Sequence, residues 1–526
     1  MRLARGRMIG GFCVATAMTF ARAAEAQSAP AADSTPIPSL GPVSGPAAAP
    51  GATPRAPGIG DAPAPPGLVS MTPTAAPEDL LRTSPNGLRS DEVGRRATAT
   101  SFTVKQDEEN LKAAAARVDQ SWQAFLPKLR FSAGIDLVDI TNTPSLGVVT
   151  TDTAGPGPVT AAQLAAGNLK AIPLTIPSTI GSYLLEASLT VPISDYFLRI
   201  GQNHAAATES RSATRYDLAG EKATSSANGR VAFYTWLRAR GAVVVAVEAL
   251  NDQKTHLALA QNQYAVGRAS KADVLRAETD VASAELSLEQ AKNLAALSEK
   301  QVRVAIHAKD DEVLVPGEGL DAPPPPVQGS LRALEDEGVS RRAEVKSLEA
   351  NASSLREQAK ATRNAGYPSL SAAANAIGAN ANTSALGPTS SWIGVFYVSA
   401  NLTWSPNDTG VQASAGADAS HRASALTAQA SQVKDNIEIE VTQDFQNVRQ
   451  ADVSIGTAER ELASAEEGYR VAKQLFDNGR ATSSNLTDAE TDLTRARLDL
   501  LNARVTARVA RVQLEHAVGR DLVAAE

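Results

Sequence analysis

The sequence predicts an α+β membrane fold in which a unit of two amphipathic strands and a long helical hairpin occurs twice. Three observations predict it. Gly267-Arg268-Ala269, followed by Ala277-Glu278-Thr279-Asp280, recurs as Gly479-Arg480-Ala481, followed by Ala489-Glu490-Thr491-Asp492, every position displaced by 212 (479 − 267). Apolar and polar residues alternate with period two after Pro127 and again after Pro368, the pattern of a strand with one apolar face. Between Gln202 and Val266 the chain is alanine-rich and free of proline, as a very long helix requires.

At the start of the chain, Met1 to Arg7 carries Arg2, Arg5 and Arg7, Met8 to Phe20 is apolar, and Ala24-Glu25-Ala26 offers small residues for cleavage. Residues 1–26 therefore read as a secretory signal peptide, with Ala21-Arg22-Ala23 a second candidate cleavage site. The apolar run is too short to span ~30 Å of hydrocarbon as a helix. Cys13, the only cysteine, lies in that run behind Phe12, where lipid attachment would need a small residue. The exported chain then has no thiol for a disulfide or a metal. Cleavage removes four arginines and one glutamate, taking the formal charge from −7 to −10, which argues against nucleic acid as a partner. Residues 27–86 are rich in proline and alanine and cannot bury enough apolar surface to offset their ordering entropy, so they read as disordered or polyproline-like.

The first unit, residues 87–310, opens with a strong helix former around Asp107 to Val118 that stops near Pro127. Its counterpart in the second unit, residues 330–522, begins at Arg342 and stops near Pro368, displaced by 241 (368 − 127). A proline-rich linker, 311–329, separates the units, and 523–526 is a tail.

Strands follow each proline. Leu129, Phe131, Ala133, Ile135 and Leu137 alternate with polar residues, and so do Tyr183, Leu185, Ala187, Leu189 and Val191. In the second unit Trp392, Phe396, Val398, Ala400, Leu402 and Trp404 repeat the pattern, whereas Leu370 to Ile377, mostly alanine and serine, gives the weakest strand signal of the four. Ala187-Ser188-Leu189-Thr190 matches Ala400-Asn401-Leu402-Thr403 at a displacement of 213, so the first hairpin loop is longer by 28 (241 − 213). The excess is the Gly, Thr and Pro-rich stretch 142–181, and long loops on one side of a hairpin mark the outer face of bacterial membrane barrels. Each strand is of about 9 to 11 residues, the length a tilted strand needs to cross a bilayer. Trp392 and Trp404 stand at the ends as interface anchors.

Beyond the strands, a helix from Gln202 to Val266 would reach roughly 100 Å and a return arm from Ser270 to Ala308 about 60 Å. Val274, Leu275, Val281, Leu286, Leu288, Leu294 and Leu297, spaced by alanines, suit narrow helix contacts. A helix of that length must leave the membrane.

At Tyr264-Ala265-Val266-Gly267 with Asp273 to Glu278, and at Phe476-Asp477-Asn478-Gly479 with Asn485 to Glu490, the chain resembles the TolC-like outer-membrane efflux and secretion channels, over about Gly87 to Leu522. The resemblance implies a homotrimer with four strands per chain in a shared 12-stranded transmembrane β-barrel, continuous with a long α-helical coiled-coil barrel in the periplasm. It implies a passive duct in the outer membrane of a Gram-negative bacterium, served by a periplasmic adaptor protein and an inner-membrane transporter. Four strands leave open edges that cannot face lipid, so copies must combine. Two copies would close eight strands and three would close twelve. The resemblance makes Val266-Gly267-Arg268 and Asn478-Gly479-Arg480 the adaptor-docking tips, with Arg268 where a hydrophobic residue is usual. It makes Asp273, Asp488, Asn485, Phe476 and Arg480 the pore constriction, with Phe476 in place of a gate tyrosine and Ala481 at the gate arginine position. Three copies of Asp488 around an axis would favour cations. Either aspartate also reads simply as a helix N-terminal residue stabilised by the dipole.

No phosphate loop, nucleophile elbow, zinc cluster or cofactor motif appears, and the expectation is no catalysis and no cofactor. His204, His256, His307, His421 and His516 are scattered and read as solvated helix residues. The competing reading is a soluble periplasmic coiled-coil adaptor or scaffold, which would also be exported, helical and alanine-rich.

Overall fold

In the computed structural model of the chain, residues 84–85, 87–136, 145–152, 162, 165–166, 169–175, 182–309, 311–381 and 392–521 are described. The expected signal peptide, nearly all of the Pro/Ala-rich segment, the tail and much of 142–181 lie outside these residues. Helices α1 (Ser90–Thr100) and α2 (Phe102–Gln123) precede β1 (Lys128–Asp136). Strands β2 (Ser145–Asp152), β3 (Leu169–Thr175) and β4 (Ser182–Val191) follow, then the long helices α3 (Gly201–Ala265) and α4 (Lys271–Ala305). The second unit comprises α5 (Leu331–Arg341), α6 (Ala343–Asn364), β5 (Ser369–Ala381), β6 (Ile393–Thr403), α7 (Pro406–Asp477) and α8 (Ser483–Val518).

The repeat reaches further back than the sequence motifs. Helices α1 and α5 are each 11 residues long and begin 241 apart (331 − 90). The break between α1 and α2 falls at Ser101, whose hydroxyl accepts from Val104 N–H at 3.4 Å and caps α2, whereas Arg89 before α1 offers no side-chain cap.

A four-stranded antiparallel sheet has the order β1-β4-β5-β6. Its register aligns Phe131 with Ala187, Ala187 with Ala376, and Ala376 with Phe396, so these residues share one face. Leu129, Leu189, Ala374 and Val398 form the next row of that face. Arg130, Ser188, Asn375 and Tyr397 form a row on the other. One face is therefore apolar and the other predominantly polar, as period-two alternation demands. Leu129, Phe131, Ile135, Phe396, Val398 and Leu402 are all exposed. The strand with the weakest sequence signal, β5, is the longest of the four at 13 residues. Alanines let it lie between β4 and β6, with their larger side chains standing on either side. Within 142–181, β2 and β3 pair as a separate antiparallel hairpin, where β-branched Val148, Val149, Thr150, Thr151 and Ile172 supply strand propensity inside a stretch read only as a long loop.

After β4 a single helical turn, Ile193–Asp195, and a π turn, Tyr196–Ile200, lead into α3, with Arg199 Nε donating to Asp195 Oδ1 at 2.9 Å. After β6 the change is direct, because Pro406 stands in the first turn of α7, where its missing N–H is not needed. At 1.5 Å per residue, the 65 residues of α3 and 72 of α7 extend to about 100 Å and 110 Å.

Two larger apolar clusters hold the helices together, with a third, of Ala260, Val274 and Ala277, between α3 and α4. Val93 and Ala97 of α1 pack on Phe233, Trp236 and Leu237 of α3, joined by Val302 and Ile306 at the end of α4 and by Val505 and Val512 of α8. Leu334 and Val345 meet Ile437, Val441 and Val448 of α7 and Leu514 and Val518 of α8. Helices α3 and α8 approach so closely that a Cβ at Gly241 would lie 2.6 Å from Leu501 Cδ1.

The linker between the units is pinned by arginines at successive turns of α8. Arg504 Nη1 donates to Asp321 Oδ1 at 2.6 Å, Arg508 Nη2 to the carbonyl of Ala322 at 2.5 Å, and Arg511 Nε to that of Pro325 at 2.7 Å. Proline-rich chain has few N–H groups with which to form its own ladder, so its carbonyls are satisfied by guanidinium donors. The residues before α1 join the same region: Leu88 N–H donates to Val315 O at 2.7 Å, and Gly317 N–H to Leu88 O at 2.7 Å.

Candidate functional site

The two helical hairpins, α3–α4 and α7–α8, end in tips of one design. Gly267 and Gly479 take φ of +76° and +67°, the left-handed region that glycine enters without a Cβ penalty. The chain then folds back, with Arg268 N–H on the carbonyl of Gln263 and Arg480 N–H on that of Leu475, both at 2.8 Å. Val266, Gly267, Arg268, Asn478, Gly479 and Arg480 are all exposed, as a docking surface requires.

Each tip hands over to a capped helix. Ser270 caps α4 by accepting from Asp273 N–H at 3.2 Å, and Asp273 Oδ2 accepts in return from Ser270 N–H at 2.9 Å. Thr482 and Asn485 make the same reciprocal box at the start of α8, each amide contact at 3.3 Å. The Ser270 hydroxyl, followed by its amide, holds the Asp273 carboxyl below its usual range. Asp273 and Asn485, both predicted pore residues, are thus equivalent capping residues 212 apart (485 − 273). Asp488 is exposed one turn further along α8 and belongs to no such box. Phe476 is buried at the end of α7, where its carbonyl accepts from Gln263 Nε2 at 3.2 Å and ties the two hairpins together.

Beneath the tips lies a cluster that motif reading missed. His256, read as a solvated helix residue, is 1 % exposed, because α3 packs that position against α8. Its Nδ1 is 3.1 Å from Glu490 Oε2, its Nε2 is 3.0 Å from Ser483 Oγ, and its ring meets Phe476 edge-on at 5.5 Å. With Glu490 ionised, Nδ1 donates to the carboxylate and Nε2 accepts from the Ser483 hydroxyl. Burial pushes the Glu490 carboxyl above its usual range against the opposing hydrogen bond from His256. A serine, a histidine and a glutamate in a row share the connectivity of a nucleophile relay, but Ser483 is 3 % exposed beneath packed chain. The arrangement crosslinks helices. The duplicated Ala-Glu-Thr-Asp motif gives no signal of it, since the same glutamate is on the surface at Glu278 and inside at Glu490.

The other histidines fall differently. His421 is exposed, His204 Nδ1 lies 2.9 Å from Ser121 Oγ, His307 Nδ1 3.1 Å from Thr100 Oγ1, and His516 Nδ1 3.0 Å from Asp521 Oδ2. Among the described residues there is no cluster of metal-ligating side chains, and no helix is long and apolar enough to cross a membrane.

Residues 93–306 and 336–520 match the family described as outer membrane efflux protein. The chain belongs to that family. It is an outer-membrane channel of multi-component efflux systems. The soluble-scaffold reading is not favoured. No curated protein matches the sequence. Among solved structures, CusC superposes with a TM-score of 0.67 at 15% identity, covering 86% of this chain and 95% of that one. The outer-membrane channel OprN gives 0.64 at 17% identity, over 86% and 98%. The Neisseria gonorrhoeae channel MtrE, solved in an open state, gives 0.62 at 16% identity, over 82% and 89%. At such identities the likeness establishes the fold shared with TolC-like channels.

Proposed function

We propose that three copies of the efflux channel chain close one passive duct, their sheets forming a shared 12-stranded barrel in outer-membrane lipid and their hairpins a helical tunnel below it. The observation that carries this reading is the four-stranded sheet, with an exposed apolar face and outer edges on β1 and β6 that pair with no described strand. Such a sheet is stable in lipid only when other copies supply the missing hydrogen bonds. Leu275, Leu286 and Leu297 on α4 and Ile439 and Val453 on α7 are likewise exposed on the single chain, and neighbouring copies would cover them.

The exposed tips, Val266-Gly267-Arg268 and Asn478-Gly479-Arg480, receive a periplasmic adaptor that links the duct to an inner-membrane transporter. Asp488, Asp273, Asn485, Phe476 and Arg480 form the constriction. Within that set Asp488 is the free acidic group, so it bears the cation-selective ring, whereas Asp273 and Asn485 shape the tip through their caps. MtrE, solved in an open state, is a precedent for a channel of this fold that opens.

Single-channel recording in planar bilayers tests the reading. The wild-type chain should conduct with cation preference, and Asp488→Ala should weaken that preference and relieve block by multivalent cations. Unchanged selectivity would remove Asp488 from the gate, and no current under any condition would remove the duct.

A further inference from the structure

The His256 cluster joins the first hairpin to the second just below the tips, where any separation of the hairpins must break it. It is also short of a proton. Gln253, whose side chain hydrogen-bonds Glu490, holds its Oε1 buried with no donor in reach among the described residues. With His256 neutral and Glu490 ionised, the packed cluster carries a net negative charge almost wholly removed from water.

The surrounding charges reinforce that deficit. Helix α3 contributes Asp252, which acts on Glu490; α4 contributes Asp273, close enough to sense His256, and Asp280, which accepts from Thr487 Oγ1 at 3.4 Å. Helix α7 contributes Tyr469, pushed up to about 12 chiefly by burial, and Asp477 at its end. Helix α8 contributes the cation Arg497, which is committed to Glu248 and Asp252 at 3.3 Å each.

We propose that His256, Glu490 and Ser483 form a proton-operated clamp between the hairpins, which tightens when the cluster takes up one proton and loosens when it gives that proton up. The added proton makes the buried pair net neutral whether it rests on the imidazole or on the carboxyl. When the hairpins part, both groups enter water and hold the proton less firmly. The packed form therefore binds the proton more strongly, in keeping with the raised Glu490 carboxyl, and linkage fixes the sign: the clamp is strengthened as pH falls and weakened as pH rises. The device serves one seam only, because the repeat equivalent of His256 is Gly468 (256 + 212) and that of Glu490 is the exposed Glu278.

The consequence for a duct, closure of the tip in acid, rests on the channel reading; the clamp itself does not. Hydrogen exchange on the detergent-solubilised full-length protein, corrected for the intrinsic pH dependence of exchange, tests the clamp without requiring conduction. Protection of peptides covering 253–260 and 483–490 should rise about tenfold for each unit by which packing raises the cluster's proton affinity, as pH falls from about 8 to 6. His256→Gln and Glu490→Gln should each abolish that dependence, while peptides around the linker arginines stay unchanged. Wild-type protection that is flat or falls on acidification would overturn the clamp, as would a His256→Gln protein that keeps the wild-type dependence. Rising protection in a protein that passes no current at any pH would support the clamp and overturn the duct alone.

Discussion

Gly267 and Gly479 stand 212 residues apart with φ values within about 10° of each other, and the arginine after each donates its amide to the carbonyl five residues back at 2.8 Å. Nothing lies within 4 Å of a Cβ built on either glycine, so alanine at these positions meets backbone strain alone. Gly479→Ala should cost about 1 kcal/mol in thermal unfolding, and Gly479→Asn less, because asparagine tolerates the left-handed region. A cost near zero would mean that the tip does not keep this turn in solution.

The two capping boxes constitute a comparison within one molecule. Asp273 has a depressed pKa, so the stability it lends α4 is present above its unfolded value of about 3.9 and is lost as pH falls through the folded value. Amide exchange at the start of α4 should quicken in that acid range, while the start of α8, capped by the non-titrating Asn485, should not respond. Asp273→Asn should make the first tip behave like the second.

Arg511 anchors the linker at the Pro325 carbonyl, 2.7 Å from its Nε, and is held in place by the Ala507 carbonyl one turn back on α8 at 2.9 Å and by Asp452 of α7 at 2.8 Å, with 8 % of its surface exposed. Arg511→Met keeps the bulk of the side chain and removes the donors that tie the Pro325 carbonyl and the Asp452 carboxylate to α8, at a cost of about 1 kcal/mol. The measurable result is a lower melting temperature with new protease cleavage between residues 316 and 328.

On the apolar face of the sheet, Phe131 and Phe396 are exposed and lie in one row through Ala187 and Ala376. Phe131→Arg should destabilise the inserted barrel by about 2–4 kcal/mol if the row lies at the midplane, whereas Ser132→Arg, on the opposite face, should be tolerated. Recovery from membranes after urea extraction would separate the two variants.

The helical tips and strands were legible because their determinants are local. Pro127 and Pro368 stop helices, alternation names the strand faces, and the repeat confirms both. The Ser270-x-x-Asp273 box was also readable as a cap, since a serine three residues before a carboxylate at a helix start is a local signature. The clamp was hidden by distance, since His256 and Glu490 meet only after two hairpins pack, 234 positions apart. Helices α1 and α5 were hidden by brevity, because an 11-residue helix is fixed mainly by the core it covers. Strand β5 reads weakly because alanine carries little strand preference, and its length is set by neighbours that supply the side chains it lacks.

The central claim is that four strands and two hairpins per chain make an incomplete wall. Native mass spectrometry of the detergent-extracted protein counts the copies that complete it. The account predicts a single dominant species of three chains, and a stable monomer in the same detergent would contradict it.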